Sequence, residues 1–308
     1  MTRVVVFAYH NVGVRCLQVL LAHGVEIPLV ISHTDNPNEN IWFDSVAELA
    51  DLHDIPVITP DDPNTQEVIA QVREARPNFL FSFYYRHMLK KALLDIPTRG
   101  AFNMHGSLLP EYRGRVPVNW AIINGETETG ATLHVMNEKP DNGAIVDRQA
   151  VPILPDDTAH EVFHKVTCAA EITLNRCLPG LLAGTAKLTP QDLSQGGYFG
   201  GRRAEDGHID WSHSARDIHN LIRAVAPPYP GAFSTLDGRE LKIFRSHIEP
   251  ALAPRTDGPA FYCENGRCYA QCGDGKVLRV LAFELDGSAR DAASFAAAHE
   301  DKIMALGK

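Results

Sequence analysis

Val4-Val5-Val6-Phe7-Ala8-Tyr9 is an unbroken run of β-branched and aromatic residues, and the pattern after it changes period at once. From Val14 through Leu17, Val19, Leu20 and Leu21 the apolar positions recur at helical spacing. A strand with no polar face is buried on both sides, which is the habit of parallel sheets covered by helices. The pairing repeats. Residues 27–32 predict a second strand and 42–52 a second helix; 56–59 is a short strand, 65–73 a helix, and 79–83 another buried strand. Strands at 101–104, 131–136 and 145–153 follow, and Thr158 with Glu161 fits a capping box that opens a further helix. The expectation is an α/β fold: a mainly parallel, Rossmann-like sheet with helices on both faces.

Periodicity stops near residue 188. Gly196-Gly197-Tyr198-Phe199-Gly200-Gly201-Arg202-Arg203 replaces it with glycine and charge. One helix, 215–225, then precedes short strands at 231–236, 241–247, 260–263, 268–272 and 277–285, separated by turn pairs such as Asp237-Gly238 and Asp274-Gly275. Regular short strands predict a small open barrel of the oligonucleotide-binding type. The expected organisation is a catalytic domain over 1–190, a linker over 191–206 and an accessory barrel over 207–308.

Bulk chemistry narrows the classes. Net charge is −9 and the pI about 5.8, so nothing marks a basic footprint for nucleic acid. No stretch has the length and apolarity of a spanning helix, and the first residues read as a strand rather than an export leader, so a cytoplasmic location is expected. Six cysteines are scattered without C-x-x-C spacing. Cys263, Cys268 and Cys272 cluster but lack paired knuckles, so they are expected to be buried thiols rather than metal ligands.

The chemistry is densest in Ala101-Phe102-Asn103-Met104-His105-Gly106-Ser107-Leu108-Leu109-Pro110-Glu111-Tyr112-Arg113-Gly114-Arg115. On a strand, residues two apart share a face, so Asn103 and His105 point together while Phe102 and Met104 point into the core. Both polar residues end a buried strand, the edge where open α/β sheets bind ligands. An amide and an imidazole there fit acyl transfer, though spacing alone equally allows a turn asparagine and a surface histidine. Asp141, in the turn Glu138-Lys139-Pro140-Asp141-Asn142-Gly143, could bring a carboxylate to the same edge. Taken alone it reads better as a plain turn residue.

The segment Asn103-Met104-His105-Gly106-Ser107-Leu108-Leu109-Pro110 resembles the Asn-x-His and Ser-Leu-Leu-Pro signature of folate-dependent formyltransferases. The resemblance is strongest to the formyltransferase domains of bifunctional polymyxin-resistance enzymes, which act in lipid A modification on UDP-4-amino-4-deoxy-L-arabinose. Phe7-Ala8-Tyr9-His10, His33-Thr34-Asp35-Asn36-Pro37, Phe81-Ser82-Phe83-Tyr84-Tyr85-Arg86-His87 and Asn124-Gly125-Glu126-Thr127-Glu128-Thr129-Gly130 carry it, from residue 1 to about residue 250. It implies a catalytic triad of Asn103, His105 and Asp141, with 10-formyltetrahydrofolate as co-substrate. It implies a folate site over His87, Met88, Leu89, Arg115, Asn137, Glu138, Lys139, Pro140 and Asp141, with Met88 and Leu89 packing the flat pterin. Pro140 and Glu138 depart from the family pattern. The implied reaction is direct attack of a sugar amine on the formyl carbon through a tetrahedral intermediate.

Other readings compete. Methionyl-tRNA formyltransferase resembles the chain in both domains, but the segment Asp35-Asn36-Pro37-Asn38-Glu39-Asn40 is short and acidic where that enzyme has a basic insertion. His160-Glu161-Val162-Phe163-His164 matches the zinc-peptidase helix signature without its downstream ligand. Tyr9-His10-Asn11-Val12-Gly13 lacks the spaced glycines of a dinucleotide site. A folate sensor without turnover is the non-catalytic alternative. The resembled enzymes carry a second, decarboxylating domain, so either a separate decarboxylase partner supplies that step or the acceptor is another amino sugar; a homo-oligomer is left open.

Overall fold

The structure, a computed structural model, describes residues 1–307. The chain forms two compact units interleaved along the sequence. The first comprises residues 1–117, 128–151 and 164–200, and the second 118–127, 152–163 and 201–308.

In order, the elements are β1 (Arg3–Ala8), α1 (His10–Ala22), β2 (Glu26–Ile31), α2 (Val46–Leu52), β3 (Val57–Ile58), α3 (Gln66–Glu74), β4 (Phe79–Phe83), α4 (Lys91–Leu94), β5 (Ala101–His105), β6 (Arg113–Gly114), α5 (Pro117–Ile123), β7 (Glu128–Val135), β8 (Ile145–Pro152), α6 (Ala159–Ala183) and β9 (Tyr198–Phe199). The large sheet of the first unit runs β3-β2-β1-β4-β5-β7-β8. Its pairs β2/β3, β1/β2, β1/β4 and β4/β5 are parallel, and β5/β7 is antiparallel. Val4 through Ala8 are fully buried, as are all five residues of β4 to within a few per cent. The uninterrupted apolar runs therefore became the central strands, where neither face meets water.

Capping sets the helix starts. The side chain of Thr65 accepts from Val68 N at the head of α3, and that of Ser45 accepts from Glu48 N at the head of α2. The Ser45 cap corrects the expected helix over 42–52: Trp42 and Phe43 lie before the helix, where the serine stops it from extending backward. At 158–161 the capping box is reciprocal, with Glu161 N on Thr158 Oγ1 at 3.3 Å and Thr158 N on Glu161 Oε2 at 2.7 Å.

The second unit continues with α7 (Ala215–Ala224), β10 (Ala232–Leu236), β11 (Arg239–Glu249), β12 (Ala260–Glu264), β13 (Arg267–Gln271), β14 (Val277–Leu285), β15 (Ser288–Arg290), α8 (Ala292–Ala298) and β16 (Ile303–Met304). Its sheet runs β10-β11-β14-β13-β12-β16, antiparallel throughout, with β15 on β14. This curled half-barrel closes over a core of Ile218 and Ile222 from α7, Phe261, Phe283 and the thiols Cys263, Cys268 and Cys272. Cys263 and Cys268 face each other across the β12/β13 pair with their sulfurs 3.8 Å apart. Among the described residues no helix is long and apolar enough to cross a membrane.

Candidate active site

Strand register builds the site. In the β5/β7 pair Asn103 lies opposite His134 and His105 opposite Thr132, while Phe102 and Met104 meet Val135 and Leu133. The two-residue period therefore gathers Asn103, His105, His134 and Thr132 on one face. Asn103 Nδ2 lies 3.1 Å from His134 Nε2, and His134 Nδ1 lies 2.9 Å from Val135 O. A carbonyl only accepts, so His134 carries its proton on Nδ1 and leaves Nε2 to accept from the Asn103 amide. This bond fixes which end of the carboxamide faces His134. Thr132 serves the backbone: its hydroxyl donates to Ser107 O at 2.7 Å and accepts from Leu109 N at 3.1 Å, tying down the Ser107–Leu109 turn beyond His105.

Asp141 arrives by a loop built for it. Its φ is +55°, in the left-handed region that aspartate tolerates. Two residues on, a Cβ at Gly143 would lie 1.8 Å from Val135 O, so only glycine lets the loop close against β7. Gln191 Nε2 donates to Asp141 O at 2.9 Å and Gly143 O at 2.6 Å. The carboxylate itself accepts from Gly114 N at 2.8 Å, and its other oxygen sits 3.5 Å from both His105 Nδ1 and His134 Nε2. Gly114 has φ +102°, and β6 holds it by parallel pairing with β9.

His105 is buried and bridges two acceptors, with Nε2 2.8 Å from Tyr112 O and Nδ1 facing Asp141. The carbonyl takes an N–H from Nε2, so only the imidazolium presents a second N–H to the carboxylate. Burial alone would raise the pKa of Asp141; the His105 imidazolium beside it and the Gly114 N–H outweigh that and hold it well below the usual carboxylate range. The cluster is thus a fixed anion, a histidine able to carry a proton, and an oriented amide, all within one unit.

The other sequence-predicted residues lie on three segments. Arg115 is exposed, its backbone N bonded to Phe199 O at 2.9 Å. Asn137, Glu138 and Lys139 are exposed and Pro140 is partly buried, on the loop that ends in Asp141. His87 and Met88 are exposed after β4. Leu89 is different: its side chain is buried in the core with Phe7, Ile31, Val68 and Leu93, so it cannot lie flat against a ligand as expected. His134 and Thr132 were not singled out from the sequence, although the alternation Thr132-Leu133-His134 mirrors Asn103-Met104-His105.

Residues 3–178 match the family model described as formyl transferase, and residues 202–300 match formyl transferase, C-terminal domain. The chain belongs to the formyl transferase family. Solved structures share the fold at low identity. An N-formyltransferase from Helicobacter canadensis, in complex with folinic acid and dTDP-3-aminofucose, is 22% identical with a TM-score of 0.67, over 91% of this chain and 99% of that one. WlaRD, a sugar 3N-formyl transferase solved with dTDP and 5-N-formyl-THF, is 21% identical with a TM-score of 0.69, over 91% and 97%. A sugar N-formyltransferase from Shewanella is 22% identical with a TM-score of 0.63, over 79% and 96%.

Within this formyltransferase, the zinc-peptidase pattern at 160–164 falls inside α6, in the span of the family match. Among the described residues no three histidine, cysteine, aspartate or glutamate side chains gather to hold a metal ion.

Beside the His87 loop the formyltransferase carries a histidine kept neutral. His33 stacks on Tyr85 with centroids 4.1 Å apart, and its Nε2 accepts from Arg86 N at 3.0 Å. Burial, then the neighbouring His87 and Arg86, lower its pKa to about 4. An unfolded histidine, near 6.5, takes up its proton first, so His33 contributes fully to stability above about pH 6.5. That contribution falls as pH drops from there toward 4. Denaturant midpoints at pH 7 and pH 5 should show the loss, and His33→Gln, which keeps an acceptor but cannot titrate, should lessen it.

Proposed function

We propose that this formyltransferase moves a formyl group from 10-formyltetrahydrofolate to the amine of a nucleotide-linked amino sugar, with UDP-4-amino-4-deoxy-L-arabinose as acceptor. The observation that carries this reading is the convergence of Asn103, His105 and Asp141 at the C-terminal end of β5, within 3.5 Å links of one another or of His134. As the amine attacks, negative charge gathers on the formyl oxygen. The Asn103 amide donates to it, and the positive charge of the His105 imidazolium stabilises it. His105 then shuttles a proton, and Asp141 orients the ring and sustains its basicity. No activated serine or cysteine is needed, because transfer is direct.

The flanking loops fit the co-substrate. Backbone groups of 87–89 and 137–141 can pair with the edge of a pterin, exposed Met88 can cover its face, and Arg115 offers a cation to its glutamate tail. The solved relatives hold folinic acid or 5-N-formyl-THF, with dTDP or dTDP-3-aminofucose.

Asp35 and Glu39 favour a sugar acceptor over RNA. Tyr9 Oη donates to Asp35 at 2.6 Å, and Arg86 donates to Glu39 at 3.0 and 2.8 Å while lying over the Tyr9 ring. The loop after β2 is thereby bound to the sheet edge through acids, and the Arg86 guanidinium beside it is already paired, which gives RNA phosphates little to meet. Purified protein, 10-formyltetrahydrofolate and a panel of acceptors decide the matter by mass spectrometry. UDP-4-amino-4-deoxy-L-arabinose should gain a formyl group with kcat/KM about 100-fold above dTDP-linked amino sugars or methionyl-tRNA. Preference for methionyl-tRNA would overturn the acceptor, and no transfer to any amine would overturn the reaction.

A further inference from the structure

The loop His87–Lys90 is gripped by a residue that belongs to neither the triad nor the folate segments. Asn64 lies 24 residues earlier, in the turn ahead of α3. Its Nδ2 donates to Met88 O at 3.0 Å, and its Oδ1 accepts from Lys90 N at 2.8 Å. A carboxamide thus takes the place of a neighbouring strand, pairing with the carbonyl of one residue and the N–H two residues on. The grip is itself braced: Asp62 Oδ1 accepts from Asn64 Nδ2 at 3.0 Å and from Asn64 N at 2.8 Å. Between the two gripped residues, Leu89 is 3% exposed and packed in the core. The loop is therefore held from beneath by Leu89 and from the side by Asn64, while Met88 stays 53% exposed.

We infer that Asn64 is a positioning residue for the folate co-substrate: its carboxamide sets the backbone of residues 88–90 and so the way that loop meets the pterin. The inference rests on the assignment of this loop to folate made above. Only a carboxamide of this length supplies a donor and an acceptor together; aspartate keeps the acceptor for Lys90 N but repels Met88 O, and alanine removes both. Two lost hydrogen bonds at a loop that binds one substrate should weaken that substrate alone.

Steady-state kinetics with separate titration of the two substrates tests this, alongside calorimetric binding of 5-formyltetrahydrofolate and thermal melting. Asn64→Ala should raise the folate KM and Kd about tenfold, with acceptor KM and kcat within about twofold. Amide exchange at Lys90 should quicken in Asn64→Ala and stay slow in Asn64→Asp, while folate binding weakens in both. The near-isosteric aspartate keeps the test open should the alanine variant fail to fold. Unchanged folate KM, or equal losses in kcat and both KM values, would overturn the inference. Met88→Ala separates the two ways it can fail. If Met88→Ala weakens folate and Asn64→Ala does not, the grip alone is refuted; if neither does, the folate assignment of the loop falls with it.

Discussion

Replacing His105 with alanine is expected to lower the turnover of formyl transfer by a factor on the order of 10³, with the protein still folded. The residue sits at the end of β5, and its ring is the one group able to donate to Asp141 and to move a proton at the reacting centre. Alanine removes the proton carrier and a positive charge beside the oxyanion together, and these effects compound because both act at the same step. The structural cost is small by comparison. Tyr112 O loses a partner at 2.8 Å but keeps a weak contact from Ser107 Oγ at 3.5 Å, so stability should fall by about 1–2 kcal/mol. Single-turnover rates with saturating substrates, beside a melting curve, give both numbers. Turnover within tenfold of the parent in a folded His105→Ala protein would remove His105 from the mechanism. Asn103→Ala should fall less, since His105 remains.

Much of this was legible because the signals were local. Val4 to Tyr9 and Phe79 to Phe83 could only be buried strands, and the two-residue spacing of Asn103 and His105 declared a shared face. What escaped depended on register. Nothing near His134 in the chain says that it stands opposite Asn103; that follows from antiparallel pairing of β5 with β7, a tertiary fact. The same holds for the β6/β9 ribbon, two residues long on each side and drawn from positions 113–114 and 198–199, which holds Gly114 where its N–H meets Asp141. Leu89 failed for a related reason: an apolar residue in a loop can face a ligand or the core, and only the packing around Phe7 and Val68 chooses. The role of Asp141 came from resemblance, because a turn aspartate carries no local mark of what its carboxylate will meet.

Asp141→Asn should slow transfer by a factor on the order of 10² to 10³ and change the acid stability of the protein in a defined direction. The substitution is nearly isosteric, so the Gly114 N–H can still donate to the remaining carbonyl oxygen and the loop from Asn137 to Gly143 should hold its shape. What changes is charge. An amide gives His105 no counter-ion, so the imidazolium form loses its chief support and the ring its fixed orientation. The sign of the stability effect follows from the depressed pKa of this carboxyl. In the unfolded chain it takes up a proton near pH 4, whereas in the folded protein it stays ionised to lower pH. Its ionisation therefore adds stability above about pH 4, and that contribution is lost as pH falls through the folded value. The amide that replaces it in Asp141→Asn has no such titration. The parent should be the more stable protein at pH 7, and the gap between the two should shrink steadily below pH 4. Chemical denaturation at pH 7, 5, 4 and 3 measures the gap; one that stays constant across that range would mean the carboxylate is not held by His105 and Gly114 as described.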